Sequence, residues 1–542
     1  MIAFALRASA PDHLSIEHFD EGVYASNYFS SHLDFRYPDR HLYAPPLFPA
    51  ILEWALIFSG GNPQAVMFVN VILGTALVAA IWWLTKLIAG DAAAIAAASL
   101  ATFSDFLIQY SRAALTDTPV CLFMVLAVGC GLLALRDRHT LAILGAALFT
   151  AAAWWTKYNG WLPLAILGAG LAGSVVFDRP KTSEWMPRAG TFLVIALGAF
   201  LFWLPCLWSL QEYGGYSAVA QNHAGYIVGF GGWWDSWTRH FSVQSFNSKL
   251  LIVGGVCAIL LFQRTRNANP MQWSNRFWVV LFSSVIILGL GQPILFALLL
   301  AGYGLFAGLR KQMEVDRLGF WLIAAWIGGL LLTTPLYRPY PRLFMPLWIG
   351  LIIASALGLQ ALLSHNENAA VVANKKRLGL RSGILGLCLI FLFRSGIGES
   401  TFEDRTQLAS ISKSIVAEIQ HFVGTTKQTD DIDAIIYVIG EPGLYYHLAS
   451  DDGDRFNFIT QPGSNLVMLT PIPNAPKIPT FLVLGPHAPD EQQELKAETD
   501  RATLIEEFPY QASDLVLLDD FPPSELEKNR EQKIQLWKLI ED

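Results

Sequence analysis

The sequence has few charged residues. Asp, Glu, Lys and Arg make up 15% of its 542 residues, against about a quarter in ordinary globular domains. Hydrophobic residues reach 53%, and the mean hydropathy is +0.40. This composition excludes a disordered, fibrous, nucleic-acid-binding or small secreted disulfide protein. It is typical of a polytopic membrane protein with a water-soluble part attached.

Cysteine is also scarce, and metal-binding patterns are missing. The five cysteines all lie in apolar stretches, none with CxxC spacing, and none follows residue 398. We interpret them as small buried hydrophobic residues. No group of His, Cys, Asp and Glu has the spacing of a metal site, so the sequence identifies no certain metal or other cofactor. Whether a divalent cation binds at Asp20 or Glu21 stays open.

Charge is distributed unequally along the chain. Residues 399–542 hold 26 acidic and 11 basic side chains, a net charge of −15, whereas residues 1–398 have a net charge of +8. This change predicts a domain boundary near residue 398. We expect a transmembrane domain at 1–398 and an acidic, soluble domain at 399–542.

Long apolar runs predict the membrane part, because a span needs about 20 apolar residues. Several stretches of this length contain no Asp, Glu, Lys or Arg, such as 54–85 and 343–366. We predict twelve spans, at residues 64–88, 92–111, 116–135, 141–156, 159–177, 190–210, 249–263, 276–291, 293–309, 318–335, 343–363 and 379–396.

The basic residues indicate the orientation of these spans. Strict alternation places every basic-rich loop on one face, which the positive-inside rule assigns to the cytoplasm. The opposite face receives a first exterior loop at 11–62, a second at 211–248 and the acidic domain. We expect a multi-pass protein of the bacterial plasma membrane whose C-terminal domain is exterior or periplasmic. We also expect residues 1–10 to be the last piece of a truncated first span.

Outside the spans, the sequence predicts two further regions of structure. Residues 45–60 read as an apolar helix at the outer interface. The tail alternates between helical and strand patterns, which predicts a small α/β domain. Its predicted elements are a helix at 404–423, a strand at 434–440, a helix from 441, and strands at 480–485 and 514–518.

Two groups of polar residues lie in the first exterior loop. Asp20 and Glu21 are adjacent acids that can accept a proton or contact a hydroxyl. Arg40 and His41 stand close to a rigid Pro-Pro turn. The alternative interpretations are a solvated acidic pair, and anchoring of Arg and His at the lipid headgroups.

Three further groups lie at predicted outer turns between spans, and all are candidate substrate-binding residues. Structural pairing, snorkelling and headgroup contacts are the alternatives for them. Arginine presents a fork of donors that suits phosphate, and a lysine outside indicates an anionic partner. The residues are Arg112 and Asp117, Lys157 and Tyr158, and Arg338 and Arg342.

Four segments resemble motifs of one superfamily, in the same order. They are FDEGVYA followed by YAPPLFPAIL, then SRAALTDTPVCLFM, WWTKYNG and YPRLFMPL. Over roughly residues 15–365 the chain resembles the GT-C glycosyltransferases, in the branch of protein O-mannosyltransferases and lipid A aminoarabinose transferases. The resemblance implies an α-helical polytopic fold with about twelve spans, a possibly truncated first span and an exterior C-terminal domain.

The resemblance also implies a reaction. A polyprenyl-phosphate sugar is the donor, and a hydroxyl of an envelope glycan, glycolipid or protein attacks the anomeric carbon with inversion. Asp20 matches the general base, and Glu21 positions a substrate. Arg342, with Arg338 or Lys157, binds the leaving phosphate, and Arg112 and Asp117 shape the site. Tyr43-Ala44 stand where some relatives carry a lysine, so a phosphate contact there falls to Arg40, His41 or a distant arginine.

Two other functions stay open from the sequence. A polytopic transporter or flippase binds its substrate near the midplane, often between inverted repeats. The candidate residues gather on one face instead, and no such repeat is evident. A non-catalytic envelope scaffold with a degenerate site is the third interpretation.

Overall fold

The computed structural model describes residues 1–29, 40–265, 293–364, 401–423, 433–452, 456–461, 478–497 and 502–540. The chain divides into two compact units. Unit 1 comprises Met1–Ser9, Val71–Ser111 and Thr116–Thr401. Unit 2 comprises Ala10–Asn70, Arg112–Leu115 and Phe402–Asp542.

Helices dominate the described residues. In the first half of the chain they are α1 (Ile2–Arg7), α2 (Phe19–Ala25), α3 (Arg40–Tyr43), α4 (Leu47–Phe58), α5 (Ala65–Thr102), α6 (Asp105–Ser111), α7 (Asp117–Asp137), α8 (Thr140–Thr156), α9 (Leu162–Gly173), α10 (Thr182–Ser209), α11 (Gly215–Ala224), α12 (Trp233–Phe246) and α13 (Leu251–Thr265). In the second half they are α14 (Pro293–Leu309), α15 (Arg317–Thr333), α16 (Met345–Ser364), α17 (Gln407–Val423), α18 (Pro442–Asp452), α19 (Pro489–Ala497), α20 (Asp514–Asp520) and α21 (Leu526–Asn529).

Unit 1 is a bundle of apolar helices. Helix α7 packs on α8, α8 on α10, α9 on α15 and α14 on α16. Ten of the twelve predicted spans coincide with described helices. The other two, at 276–291 and 379–396, lie outside the described residues, as does the predicted boundary near residue 398.

The helices at the positions of the predicted membrane spans differ in length. Among the described residues, five are long and apolar enough to cross a membrane, and α12 with the start of α13 adds one bent pair with an angle of 66°. The predicted integral membrane protein is therefore confirmed. Gly90 has non-helical dihedral angles and divides α5 into two helices, as the boundary between the first two predicted spans requires.

The predicted span at 92–111 is not one continuous helix. It breaks at Phe103-Ser104, and α6 begins at Asp105. The buried Asp105 carboxylate accepts hydrogen bonds from the backbone N–H groups of Phe106 and Leu250, both at 3.1 Å. Because these bonds satisfy a carboxylate inside an apolar bundle, they hold the break in place.

Unit 2 contains a five-stranded sheet. Its strands are β1 (Ala434–Ile439), β2 (Phe456–Gln461), β3 (Thr480–Leu484), β4 (Ala502–Gln511) and β5 (Glu531–Leu539). The strand order is β2-β1-β3-β5-β4; β1 runs parallel to β2 and β3, and β5 is antiparallel to β3 and β4. The predicted α/β domain is confirmed, with its strands at 434–440 and 480–485 and its helix at 404–423.

The strand predicted at 514–518 is wrong. Residues Asp514–Asp520 form helix α20 instead. A short apolar run such as LVLL fits a buried strand or a helix equally well, and Ser513-Asp514 before it are residues typical of a helix start. The sequence analysis did not predict strands β2, β4 and β5, which contain more polar and charged residues than the apolar strands β1 and β3.

The first exterior loop belongs to unit 2. Residues 47–58 form α4, as the predicted apolar helix at 45–60 requires. Helix α2 packs against both α4 and α18. The contact with α18 is between backbones, since an added Cβ at Gly22 would lie 2.2 Å from Pro442 C and Gly443 N.

The contact between α2 and α18 predicts that Gly22→Ala destabilises the protein. Alanine favours a helix over glycine by about 1 kcal/mol, but its methyl group meets backbone atoms that cannot rotate away. We expect a net loss of about 1–3 kcal/mol, measured by thermal unfolding of the purified protein in detergent.

Gly190→Ala in α10 is the matched control. An added Cβ there meets nothing within 4 Å, so this change should leave the unfolding temperature unchanged or raise it. Equal unfolding temperatures for the two variants would contradict the close approach of α2 to α18.

Candidate active site

Asp20 and Glu21 lie in the first turn of α2, where His18 caps the helix. The Nδ1 atom of His18 accepts a hydrogen bond from the backbone N–H of Asp20 at 3.1 Å. The carboxylate of Glu21 folds back and accepts from the backbone N–H groups of Glu17 and His18 at 3.0 and 2.9 Å. This reciprocal arrangement is a capping box, which fixes the start of the helix.

The two adjacent acids have different surroundings. The side chain of Asp20 is partly exposed, whereas Glu21 is 0% exposed. Glu21 Oε1 accepts from the backbone N–H of Ala114 at 2.6 Å. Arg405 Nη1 donates to both carboxylate oxygens of Glu21, at 3.3 and 3.4 Å.

Arg405 joins this carboxylate to two other segments. Its Nη2 atom donates to the backbone carbonyl of Arg112, and its backbone N–H donates to the carbonyl of His13 at 3.1 Å. Glu21 and Arg405 therefore connect the three segments of unit 2, Ala10–Asn70, Arg112–Leu115 and Phe402–Asp542. Both oxygens of Glu21 accept hydrogen bonds from N–H donors.

Arg112 lies in the same network. Its guanidinium is over the ring of Phe402, with Cζ 5.2 Å from the ring centroid. Burial, and secondarily the charge of Arg405, lower the pKa of Arg112 to about 10. The segment after it is held by Asn70 Nδ2, which donates to the carbonyl of Leu115 at 2.7 Å.

Arg40 and His41 begin α3. Arg40 Nη1 pairs with Glu53 Oε1 of α4 at 3.0 Å. Both side chains are about a quarter to a third exposed, at 23% and 33%. His41 is half-buried beside it. The structure thus brings Asp20, Glu21, Arg40, His41 and Arg112 into one unit.

The other predicted residues lie in unit 1. Lys157 Nζ pairs with Asp117 Oδ1 at 2.5 Å, and the carboxylate is buried, with 3% of its side chain exposed. Asp117 starts α7 and Lys157 ends α8, so this pair connects the outer ends of two packed helices. That Asp117 and Lys157 take part in substrate binding stays a prediction.

Aromatic rings connect Tyr158 to the Arg338 turn. The ring of Tyr158 contacts that of His223, which contacts Tyr226, at centroid distances of 6.0 and 6.3 Å. Tyr226 stacks on Tyr337 at 6.1 Å. Arg338 lies over the Tyr226 ring, with Cζ 5.9 Å from its centroid, and its backbone N–H donates to the Tyr226 carbonyl at 2.8 Å.

Arg342 follows in the same turn, with Cζ 5.5 Å from the Tyr340 centroid. Unit 1 thus holds the cations Lys157, Arg338 and Arg342 among tyrosine rings. Such a surface suits an anionic lipid headgroup, because arginine binds phosphate and aromatic rings lie at membrane interfaces.

The sequence did not predict Arg405. Its partner Glu21 is 384 residues away along the chain, and no local pattern signals a pair of that separation. The one available signal was the position of Arg405, between the acidic pair Glu403-Asp404 and an amphipathic helix. Across the described ranges, no three His, Cys, Asp or Glu side chains form a metal-binding group.

The Glu21–Arg405 ion pair predicts a large loss of stability in Arg405→Ala. Removing one partner leaves a buried carboxylate without its counter-charge, which costs about 3–5 kcal/mol. Arg405→Lys keeps the charge but not the fork of donors and should lose less. Thermal unfolding and limited proteolysis of the purified variants measure both effects.

Arg136→Ala is the matched control for this prediction. Arg136 pairs with Asp137 at 2.9 Å, but their side chains are 35% and 49% exposed. An exposed pair contributes about 1 kcal/mol or less. If Arg405→Ala unfolds no earlier than Arg136→Ala, the pair does not hold unit 2 together.

Comparison with known proteins supports the fold predicted from the sequence. The family model for dolichyl-phosphate-mannose-protein mannosyltransferase matches residues 43–208. In sequence alone, no curated protein matches the chain.

Solved structures match the chain over nearly its whole length. ArnT from Cupriavidus metallidurans bound to undecaprenyl phosphate has a TM-score of 0.55 at 13% identity, covering 99% of this chain and 96% of that chain. The apo state of the same protein has a TM-score of 0.52 at 13% identity, covering 97% and 95%. The chain is therefore an integral membrane protein with the fold of the GT-C glycosyltransferases, as its sequence motifs predict.

Proposed function

We propose that this chain is a membrane glycosyltransferase that moves a sugar from a polyprenyl-phosphate donor to an acceptor hydroxyl on the outer face of the membrane. The observation that carries the proposal is the fold it shares with ArnT, whose crystal structure holds undecaprenyl phosphate. The match of residues 43–208 to a family of dolichyl-phosphate-mannose-dependent enzymes supports the same class of donor.

Asp20 is the general base in this proposal. The acceptor hydroxyl attacks the anomeric carbon while Asp20 takes its proton, and the bond from that carbon to the phosphate oxygen breaks. The phosphate leaves with the electron pair, and the configuration inverts. Asp20 suits the role because its carboxylate is partly exposed on a helix whose start is fixed by a capping box.

Glu21 takes a positioning role rather than a chemical one. Its buried carboxylate binds three backbone N–H groups and Arg405. It therefore acts through the orientation of the turn that carries Asp20. Arg112 and Arg40 contribute positive charge to the same unit, with His41 beside Arg40.

Lys157, Arg338 and Arg342 bind the lipid phosphate of the donor. A phosphate leaving group needs no strong acid if fixed cations neutralise the charge that develops on it. Asp117 orients Lys157 through their 2.5 Å ion pair, and Tyr158 continues the surface towards Arg338. The sequence contains no group of residues with the spacing of a metal site, and the proposed reaction has no step that uses a metal ion.

The acceptor is a glycan, glycolipid or protein hydroxyl of the cell envelope. The membrane is the bacterial plasma membrane, with the C-terminal domain on the exterior or periplasmic side. This placement follows from the predicted loop charges, and it puts Asp20 on the face where such acceptors occur.

The base assignment predicts that Asp20→Asn loses transfer. Asparagine keeps the size of the side chain but accepts no proton, so we expect transfer to fall about 10²–10⁴-fold. The assay uses purified protein in lipid nanodiscs with undecaprenyl-phosphate mannose and undecaprenyl-phosphate glucose carrying radiolabelled sugar.

Asp12→Asn is the control, because Asp12 lies in the same loop with 80% of its side chain exposed. It should transfer at the wild-type rate. Wild-type protein that is folded but transfers from neither donor, nor from others, would favour a transporter or a non-catalytic scaffold. Full transfer by Asp20→Asn would remove Asp20 as the base.

The donor assignment predicts a different defect in Arg342→Gln. Loss of one fixed cation at the leaving phosphate should lower kcat/KM for the donor about 10²-fold. The KM for the acceptor should change little. Initial rates measured at varied donor and fixed acceptor concentration test this expectation.

Arg310→Gln is the matched control for Arg342→Gln. Each arginine has its Cζ 5.5 Å from the centroid of a neighbouring ring, Phe306 or Tyr340, but Arg310 lies in a loop predicted to be cytoplasmic. Equal donor kinetics for the two variants would contradict a role for Arg342 at the phosphate.

A further inference from the structure

A His–Glu pair stands at one edge of the sheet in unit 2. Strands β1 and β3 are parallel neighbours, and their carboxyl ends are followed by Gly440-Glu441 and by Gly485-Pro486-His487. In parallel sheets, ligands bind beyond this edge of the strands. Here His487 Nδ1 lies 2.6 Å from Glu441 Oε1, and the Glu441 side chain is buried, with 3% exposed.

Two glycines make this pair sterically possible. An added Cβ at Gly485 would lie 1.6 Å from Glu441 Cγ, so only glycine leaves room for the carboxylate. Gly440 has a φ of +72°, in the left-handed region that favours glycine, and a Cβ added there would lie 3.1 Å from Ala488 N. The backbone at both strand ends is thus shaped around the Glu441 side chain.

The pair lies against the helix that carries the proposed base. The His487 ring meets the edge of the Phe19 ring, with centroids 5.4 Å apart, and Phe19 directly precedes Asp20. Tyr43 lies on another side of Phe19 at 6.1 Å. A second contact from the C-terminal part reaches the same turn, since Asp519 Oδ2 lies 2.9 Å from His18 Nε2.

His487 carries a positive charge at neutral pH. The carboxylate of Glu441, and then those of Asp520 and Asp20, raise the pKa of His487 to about 9 against the opposing effect of burial. Its Nδ1–H is used by Glu441. The Nε2–H contacts no hydrogen-bond acceptor within the described ranges, and 36% of the side chain is exposed.

We propose that His487 is an acceptor-binding residue, whose Nε2–H donates to an oxygen of a neutral sugar and thereby holds the attacking hydroxyl at Asp20. The proposal rests on the glycosyltransferase function proposed above. Glu441 is the positioning residue of the pair, because it fixes the ring and keeps the second N–H available for the acceptor.

The surroundings favour a neutral glycan over an anionic acceptor. Three carboxylates, those of Glu441, Asp520 and Asp20, act on the His487 imidazolium, and each of them repels a phosphate or carboxylate of an acceptor. The rings of Phe19, Tyr43 and His487 offer apolar surface for the C–H face of a sugar.

His487→Phe tests the proposal, since it keeps a ring against Phe19 but removes the donor. With undecaprenyl-phosphate mannose as donor and octyl mannoside as acceptor, both in nanodiscs, we expect the KM for octyl mannoside to rise about tenfold. The KM for the donor, and donor hydrolysis without acceptor, should stay at wild-type values. His487→Gln keeps an N–H donor and should recover most of the loss.

The pH dependence gives a second readout. The imidazolium donates from Nε2 below its pKa, whereas the neutral ring with its remaining proton towards Glu441 cannot. The KM of wild-type protein for octyl mannoside should therefore rise as pH increases through about 9, and His487→Gln should show no such step. His421→Phe, at an exposed position of α17, is the control and should match the wild type.

Several outcomes overturn the proposal. If wild-type protein transfers sugar and His487→Phe leaves the KM for octyl mannoside unchanged, His487 does not bind the acceptor while the glycosyltransferase function stands. An equal fall in every kinetic constant would make His487 structural only. Strong preference for lipid A or for a serine peptide over octyl mannoside would exclude a neutral glycan. Wild-type protein that transfers from no donor would remove both proposals together.

Discussion

The buried ion pair between Glu21 and Arg405 is the interaction on which unit 2 depends. Burying a carboxylate without partners costs several kcal/mol, so the chain must bring donors to it. It does so from three directions: the turn before α2, the backbone at Ala114, and the guanidinium of Arg405. Because each donor belongs to a different segment, satisfying one charge fixes the positions of all of them.

This arrangement assigns different properties to two neighbouring acids. In the sequence, Asp20 and Glu21 are adjacent acids, and only the resemblance to a family gives them different roles. In the structure, the Glu21 carboxylate is fully buried and hydrogen-bonded, whereas the side chain of Asp20 is partly exposed. The chemistry available to Asp20 therefore depends on the structural role of Glu21, since a turn held by a buried charge keeps its neighbour in a defined position.

The sequence predicted features that depend on local composition. Long apolar runs located ten of the twelve predicted spans at described helices, and the boundary predicted between residues 88 and 92 coincides with the break at Gly90. The ordered motifs predicted the fold, because each motif occupies only a few neighbouring residues and can be recognised locally. Asp117 and Lys157, predicted separately at two outer turns, proved to be one ion pair.

The features that the sequence did not predict all depend on contacts between distant segments. Arg405 looks like an ordinary polar residue at the start of a soluble domain until its partner is placed beside it. Glu441 and His487 follow two separate strands, and only the parallel pairing of those strands brings them together. The helix at Asp514–Asp520 was predicted as a strand because a four-residue apolar run is too short to show either a helical or a strand periodicity.

The separation of Glu21 from Arg405 has a consequence for biosynthesis. The two residues are 384 positions apart, and a ribosome adds about 5–20 residues per second. Roughly 20–80 s therefore pass between the synthesis of Glu21 and that of its partner. During that interval the Glu21 carboxylate has its backbone N–H donors but lacks the counter-charge of Arg405. A nascent chain that ends before residue 405 thus contains Glu21 and its helix α2 without the ion pair that connects them to the C-terminal segment of unit 2.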